Sequence, residues 1–143
     1  ATDVLALVQS LADDLAETGQ HVALQGHRLV ALVRPVALGR AVGNLIGNAL
    51  RHGGSAEVTV LSLDGPRILI EDRGPGIPEA QLQRVLEPFT RLDPSRNRET
   101  GGSGLGLHIA RSLLLGQGAT LALSNRPNGG LRVEIRLQPA PER

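Results

Sequence analysis

The sequence predicts an α+β domain: a two-layer α/β sandwich in which helices cover one face of a mixed, mostly antiparallel sheet. Three observations carry that expectation. Apolar residues recur by turns at helical and at strand spacing, in the order α-β-β-α-β-β-α-loop-α-β-β. The 143 residues suffice for one core, since a chain of this size buries about 70% of its unfolded surface. No internal repeat or linker divides the chain, so 1–143 reads as a single domain, with an aliphatic core because Phe89 is its one aromatic residue.

Residues 3–18 read as a helix, with Val4, Val8, Leu11 and Leu15 on one face and Gly19 as the stop. "HVALQG" and "RLVALVR" follow as two short strands with a turn near Gly26–His27. Pro35 sits in the first turn of a second helix. That helix runs to about His52 with Leu38, Val42, Leu45 and Ala49 facing the core, and Gly53–Gly54 end it. "AEVTVLSL" and "RILIED" alternate like half-buried strands around the turn "DGPR". "RGPGIP" is a loop and "PEAQLQRVL" a short helix. Residues 87–103 carry many charges and glycines and little apolar pattern; a loop that long inside a compact domain is usually functional or disordered. A helix from about Gly104 to Leu115 and the strands "ATLALSN" and "LRVEIRL", around the turn "RPNGG", complete the sheet. The tail, 139–143, is expected to fray.

Composition removes several function classes. All 15 basic residues are arginine, so neither a Walker A phosphate loop nor Schiff-base chemistry is available. The absence of cysteine removes disulfide frameworks and thiolate metal sites. A formal charge of +1 gives no broad field for nucleic acid or anionic lipid. No apolar run reaches the roughly 18 residues a membrane span needs. The start, "ATDVLALVQSLADD", is amphipathic and acidic, unlike a signal peptide. A soluble domain is therefore expected.

Three segments suggest chemistry. "GGSGLGLHIA", residues 101–110, opens a helix, where free N–H groups and the helix dipole favour phosphate. Gly102, Gly104 and Gly106 let an oxyanion approach the main chain; a flexible hinge ahead of a helix is the ordinary alternative. "DRGPGI", residues 72–77, directly follows the strand "RILIE". Asp72 either caps the turn or reads a base. An ionised carboxylate only accepts hydrogen bonds, which suits the exocyclic amino group of adenine and opposes the carbonyl of guanine. Gly74 and Gly76 would let the loop lie against a flat ring. In "NLIGNALRH", Asn44 and Asn48 emerge on one side of a helix that asparagine does not favour. They either bond a neighbouring loop or solvent, or serve a ligand. An amide oxygen suits Mg²⁺, which keeps most of its waters and takes few protein ligands. Asn48 is then the metal candidate, Asn44 orders a water or a phosphate, and Arg51, one turn beyond Asn48, reaches phosphate oxygens.

Taken in chain order, with a basic loop between the second and third, the segments from Asn44 to Gly106 resemble the GHKL (Bergerat) ATP-binding fold and, within it, the catalytic domain of bacterial two-component sensor histidine kinases. "NLIGNALRH" looks like the N box, "DRGPGIP" the G1 box, "EPFTRLD" the F box and "GGSGLGL" the G2 box, a resemblance covering about residues 1–138. It implies Asn48 as the Mg²⁺ ligand and Asn44 as a neighbour contacting phosphate or water. Arg51 takes the place of a basic residue, commonly lysine, that contacts phosphate, and His52 lies beside the nucleotide. Asp72 matches the adenine-reading aspartate, and Gly76 and Ile77 match the wall behind the base. Phe89 matches the aromatic that anchors the lid, and Arg91 a lid arginine placed to reach the γ-phosphate. Gly102, Ser103, Gly104, Leu105, Gly106 and Leu107 match the phosphate-facing segment, which makes residues 87–103 the lid. Asn44, Arg51 and Arg91 form the implied catalytic set.

The implied activity is transfer of the γ-phosphoryl group of Mg-ATP to a histidine on a separate dimerisation domain, feeding the receiver domain of a response regulator. In the family that histidine stands in a context like His-Glu/Asp-x-Arg-x-Pro, which none of His21, His27, His52 and His108 has. The chain looks like the catalytic half, with dimerisation and phosphoacceptor helices upstream. It is expected to be monomeric, and to bind ATP without autophosphorylating. Family habit places the whole protein in the inner membrane with this domain on the cytoplasmic side. Superfamily ATPases of other classes carry glutamate four residues before the metal-binding asparagine; Asn44 stands there and is no base at neutral pH. A non-catalytic binding module of the same fold is the other alternative.

Overall fold

The computed structural model describes residues 1–82 and 105–141. β1 (Thr2–Asp3) leads into α1 (Val4–Glu17), capped by the Asp3 carboxylate, which accepts the Ala6 N–H at 3.0 Å. α1 buries Val4, Val8 and Ala12, while Leu11 and Leu15 pack partly buried against the core. β2 (Val22–Gly26) and β3 (Val30–Leu32) precede α2 (Pro35–Gly53). Proline opens α2 and Gly54 closes it in the left-handed region, at φ 76°. Its buried stripe of Leu38, Ala41, Val42, Leu45, Ile46 and Ala49 contains the four core positions that its spacing predicts.

The β4 (Ala56–Ser62) and β5 (Pro66–Glu71) hairpin is followed by a 3-10 turn (Glu79–Gln81). Then come α3 (Leu105–Leu115), β6 (Thr120–Asn125), β7 (Leu131–Arg136) and β8 (Gln138–Pro139). The main sheet has the order β2-β4-β5-β7-β6, with β2 parallel to β4 and every other pair antiparallel. Val58, Val60, Ile68, Ile70, Val133 and Ile135 point to the helix layer and are buried. The alternate positions carry Glu57, Arg67, Glu71, Arg132, Glu134 and Arg136, and the register sets Glu57 opposite Glu71 and Glu71 opposite Arg132. One face is thus aliphatic and covered, the other ionic, as period-two alternation requires. The expected two-layer architecture is observed.

Two features depart from the sequence expectation. The two short strands after α1 are not partners. β2 hydrogen-bonds alongside β4 over Val22–Gly26, while β3 lies between β1 and β8 in a separate three-stranded sheet. Residue 139 also does not begin a frayed tail: Pro139 pairs with Ala31, and the preceding Leu137 is buried. Of "PEAQLQRVL", the 3-10 turn and Leu82 are described; its remainder and the expected lid, 87–103, lie outside the described residues. Among the described residues no helix is long and apolar enough to cross a membrane.

Candidate functional site

Asp72 stands where β5 ends, and its surroundings fix it on every side. It is 6% exposed. Its N–H donates to the Leu131 carbonyl at 3.0 Å, and its own carbonyl accepts from Arg126 Nη1 at 2.9 Å. Its carboxylate oxygen Oδ1 accepts the N–H groups of Gly74, at 2.9 Å, and Leu131, at 3.1 Å. Among the described residues none donates to the second oxygen, Oδ2. The Gly74 bond is the turn cap that the sequence left open as one role for Asp72. The same geometry leaves the other role intact, because a capping Oδ1 orients Oδ2 without consuming it.

The charges around Asp72 are paired. Glu71, 9% exposed, meets Arg132 Nε at 2.9 Å and Arg126 Nε at 3.3 Å, and Arg73 Nε reaches Glu57 Oε1 at 3.1 Å. Arg126 thereby ties the ionic outer face of the sheet to the Asp72 backbone. Gly130 at the end of the β6–β7 turn is buried at φ 101°, and a Cβ there would collide with the Asp72 carbonyl.

The loop after Asp72 abuts the end of α2. A Cβ on Gly74 would lie 2.5 Å from the His52 carbonyl, so this glycine is required by packing within the chain. α2 therefore brings its last turns, with Asn48, Arg51 and His52, beside the Asp72 loop. Asn44 and Asn48 are half-buried, and Arg51 and His52 are exposed. The Asn48 amide oxygen accepts a hydrogen bond from Arg51 Nη2. Asn44 makes no side-chain hydrogen bond to another described residue.

Gly76, at φ 73°, and Ile77 complete the loop, and both meet a residue that the sequence reading missed. Asn125, at the end of β6, accepts the Ile77 N–H at 2.9 Å and donates to the Ile77 carbonyl at 2.6 Å. Arg126 was missed as well. Their one sequence signal is position beside the turn "RPNGG", which by itself marks only a hairpin.

The other expected residues divide in two. Leu105, Gly106 and Leu107 form the first turn of α3, which packs along α2, and Leu107 is half-buried against the core. Phe89, Arg91, Gly102, Ser103 and Gly104 lie outside the described residues. His21 and His27 are exposed and His108 is half-buried.

The family model of histidine kinase-, DNA gyrase B- and HSP90-like ATPases matches residues 33–141. The chain is 43% identical over 107 residues to the sensor histidine kinase GtrS of Pseudomonas aeruginosa, covering 73% of this chain and 21% of that protein. It is 43% identical over 111 residues to the sensor protein RstB of Escherichia coli, covering 76% and 25%. It thus spans between a fifth and a quarter of the length of these curated relatives. The crystallised ATP binding domain of PrrB from Mycobacterium tuberculosis matches with a TM-score of 0.78 at 31% identity, over 99% of this chain and 96% of that one. The chain therefore belongs to the histidine kinase-, DNA gyrase B- and HSP90-like ATPase family, as an ATP-binding domain of the sensor histidine kinase type.

Proposed function

We propose that this domain binds Mg-ATP and transfers the γ-phosphoryl group to a histidine on a separate dimerisation domain, from which the receiver domain of a response regulator takes it. The observation that carries the reading is Asp72: a buried carboxylate with one oxygen anchored by two main-chain N–H groups, beside the helix end that bears Asn48 and Arg51. The acceptor lies outside residues 1–143, since none of the four histidines has an acceptor's context. The whole protein belongs at the inner membrane with this domain on the cytoplasmic side.

Each residue has a defined task. Asp72 Oδ2 accepts from the exocyclic amino group of adenine, while Oδ1, held by Gly74 and Leu131, keeps the carboxylate from rotating away. Gly76 and Ile77 back the ring. Among the described residues no group of three or more His, Cys, Asp or Glu could cage a cation, so a metal here rests on the Asn48 amide oxygen and the ligand's own oxygens. That donor set fits Mg²⁺, which accepts few protein ligands. Mg²⁺, when bound, neutralises charge on the phosphate oxygens. Arg51, which donates to that same amide oxygen, must release it and is then free to meet a phosphate. Asn44 holds a water or a phosphate oxygen one turn earlier. Arg91, the Phe89 anchor and the Gly102–Leu107 segment take the γ-phosphate side by motif. Phosphoryl transfer needs chiefly positioning and charge stabilisation, so arginine serves where lysine is absent.

Calorimetric titration with ATP and Mg²⁺ tests the reading. Binding is expected in the wild type, and clear weakening in Asp72→Ala and Asn48→Ala. Affinity indifferent to both changes would identify a scaffold. With γ-labelled ATP, the domain alone is expected to stay unlabelled and to label an added dimerisation domain from its own protein.

A further inference from the structure

The geometry points to Asn125 as a positioning residue for base selectivity, acting through the main chain of Ile77; this deepens, and rests on, the adenine site proposed above. Asn125 ends β6 and is itself exposed, so its amide has water as an alternative partner. It nevertheless spends both ends of the amide on one residue 48 positions away. Oδ1 accepts the Ile77 N–H at 2.9 Å and Nδ2 donates to the Ile77 carbonyl at 2.6 Å. Two antiparallel bonds to the main-chain N–H and carbonyl of one residue fix both position and orientation, as one rung of a β-ladder does. The approach is close enough that a Cβ on Gly76 would lie 2.5 Å from Asn125 Oδ1.

The second end of the loop is held by the same hairpin. Arg126, the next residue, donates to the Asp72 carbonyl, and Leu131 donates to the Asp72 carboxylate. The β6–β7 turn thus sets the spacing between the group that reads the purine edge and the peptide that backs the ring. Arg126 is also committed to Glu71, so its loss would disturb the sheet's ionic face. Asn125 makes no described side-chain bond except those to Ile77. Its removal would release the wall while leaving the Asp72 anchors in place. Purine discrimination depends on that spacing, because a buried polar group excludes the wrong partner only when it cannot shift to accommodate it.

The test uses Asn125→Ala and Asn125→Asp, with ATP and GTP affinities measured by displacement of a fluorescent ATP analogue in Mg²⁺, and thermal unfolding of each variant. Asn125→Ala is expected to weaken ATP about tenfold, the scale of re-ordering the released wall on binding, while GTP changes by less than about twofold. The ATP preference therefore narrows, and the unfolding midpoint stays close to the wild type. Asn125→Asp keeps the acceptor for the Ile77 N–H but sets an anion against the Ile77 carbonyl, so it should resemble the alanine variant in preference. An unchanged ATP-to-GTP ratio in both variants would overturn the inference. So would a parallel loss of both nucleotides together with a lowered midpoint, which assigns Asn125 to structure alone. A wild-type domain that binds no ATP would instead remove the adenine site on which the inference rests.

Discussion

The Asp72 end of the site and the Asn48 end are built by opposite means. At Asp72 the chain supplies four hydrogen bonds from three residues, a glycine without room for a side chain, and paired charges on each flank. At Asn48 it supplies a regular helix with two half-buried amides, one bonded to an exposed arginine. On the proposed reading, the first end has its final form before any ligand arrives. The second offers oxygens and charge on a rigid helix and leaves their arrangement to the ligand. Selectivity comes from groups that cannot move, whereas phosphate and metal, carrying strong charge, can order groups that do.

Variants at the two ends should therefore fail differently. The largest effect is expected from Gly130→Val, since any Cβ there meets the Asp72 carbonyl and φ lies at 101°. A loss of about 3 kcal/mol or more is expected in denaturant unfolding, with nucleotide binding abolished. Asp72→Asn can retain the acceptor for Gly74 and Leu131, so the fold should survive. ATP should weaken by roughly 1–3 kcal/mol, the scale of one charge-assisted hydrogen bond, and GTP by clearly less. Equal loss for both would show that Asp72 does not read the base.

Asn48→Ala should weaken ATP by about 1–2 kcal/mol in the presence of Mg²⁺ and leave it nearly unchanged in chelator. A loss of the same size in chelator would make Asn48 a packing residue. The smallest effect belongs to a control on the outer sheet face. Burial raises the Glu134 carboxyl pKa, but hydrogen bonds from Arg136 and Arg67 and their charges outweigh it, so the value lies below the ordinary one. A lowered folded value stabilises the protein above the ordinary carboxylate pKa, and that stabilisation disappears as pH falls through the folded value. Glu134→Gln should cost under about 1 kcal/mol at pH 7 and nothing in strong acid, with ATP affinity unchanged throughout.

Much of this was legible in the residues. The stripe Leu38, Val42, Leu45 and Ala49 predicts α2 to within a residue of its end, and the alternation in "AEVTVLSL" and "RILIED" yields β4 and β5. Asp72 directly follows the end of β5, as the strand "RILIE" ahead of the glycine loop predicts. Pairing was less legible, because period-two alternation tells which face a strand buries and not which strand lies beside it. That is why the sequence places β2 and β3 on either side of one turn without showing that they are not partners, and why strands of two or three residues, β1, β3 and β8, leave no readable pattern beyond "RLVALVR". Asn125 was illegible for a related reason. Its partner is a main-chain peptide, which leaves no side-chain signature, and it lies 48 residues away.

The most direct test of the account is a crystal structure of the domain with Mg²⁺ and a non-hydrolysable ATP analogue. The predicted result is an adenine amino group within hydrogen-bond distance of Asp72 Oδ2, the Asn125–Ile77 pair undisturbed, and Arg51 released from Asn48. A purine bound elsewhere, or one that leaves the Asp72 carboxylate untouched, would contradict it.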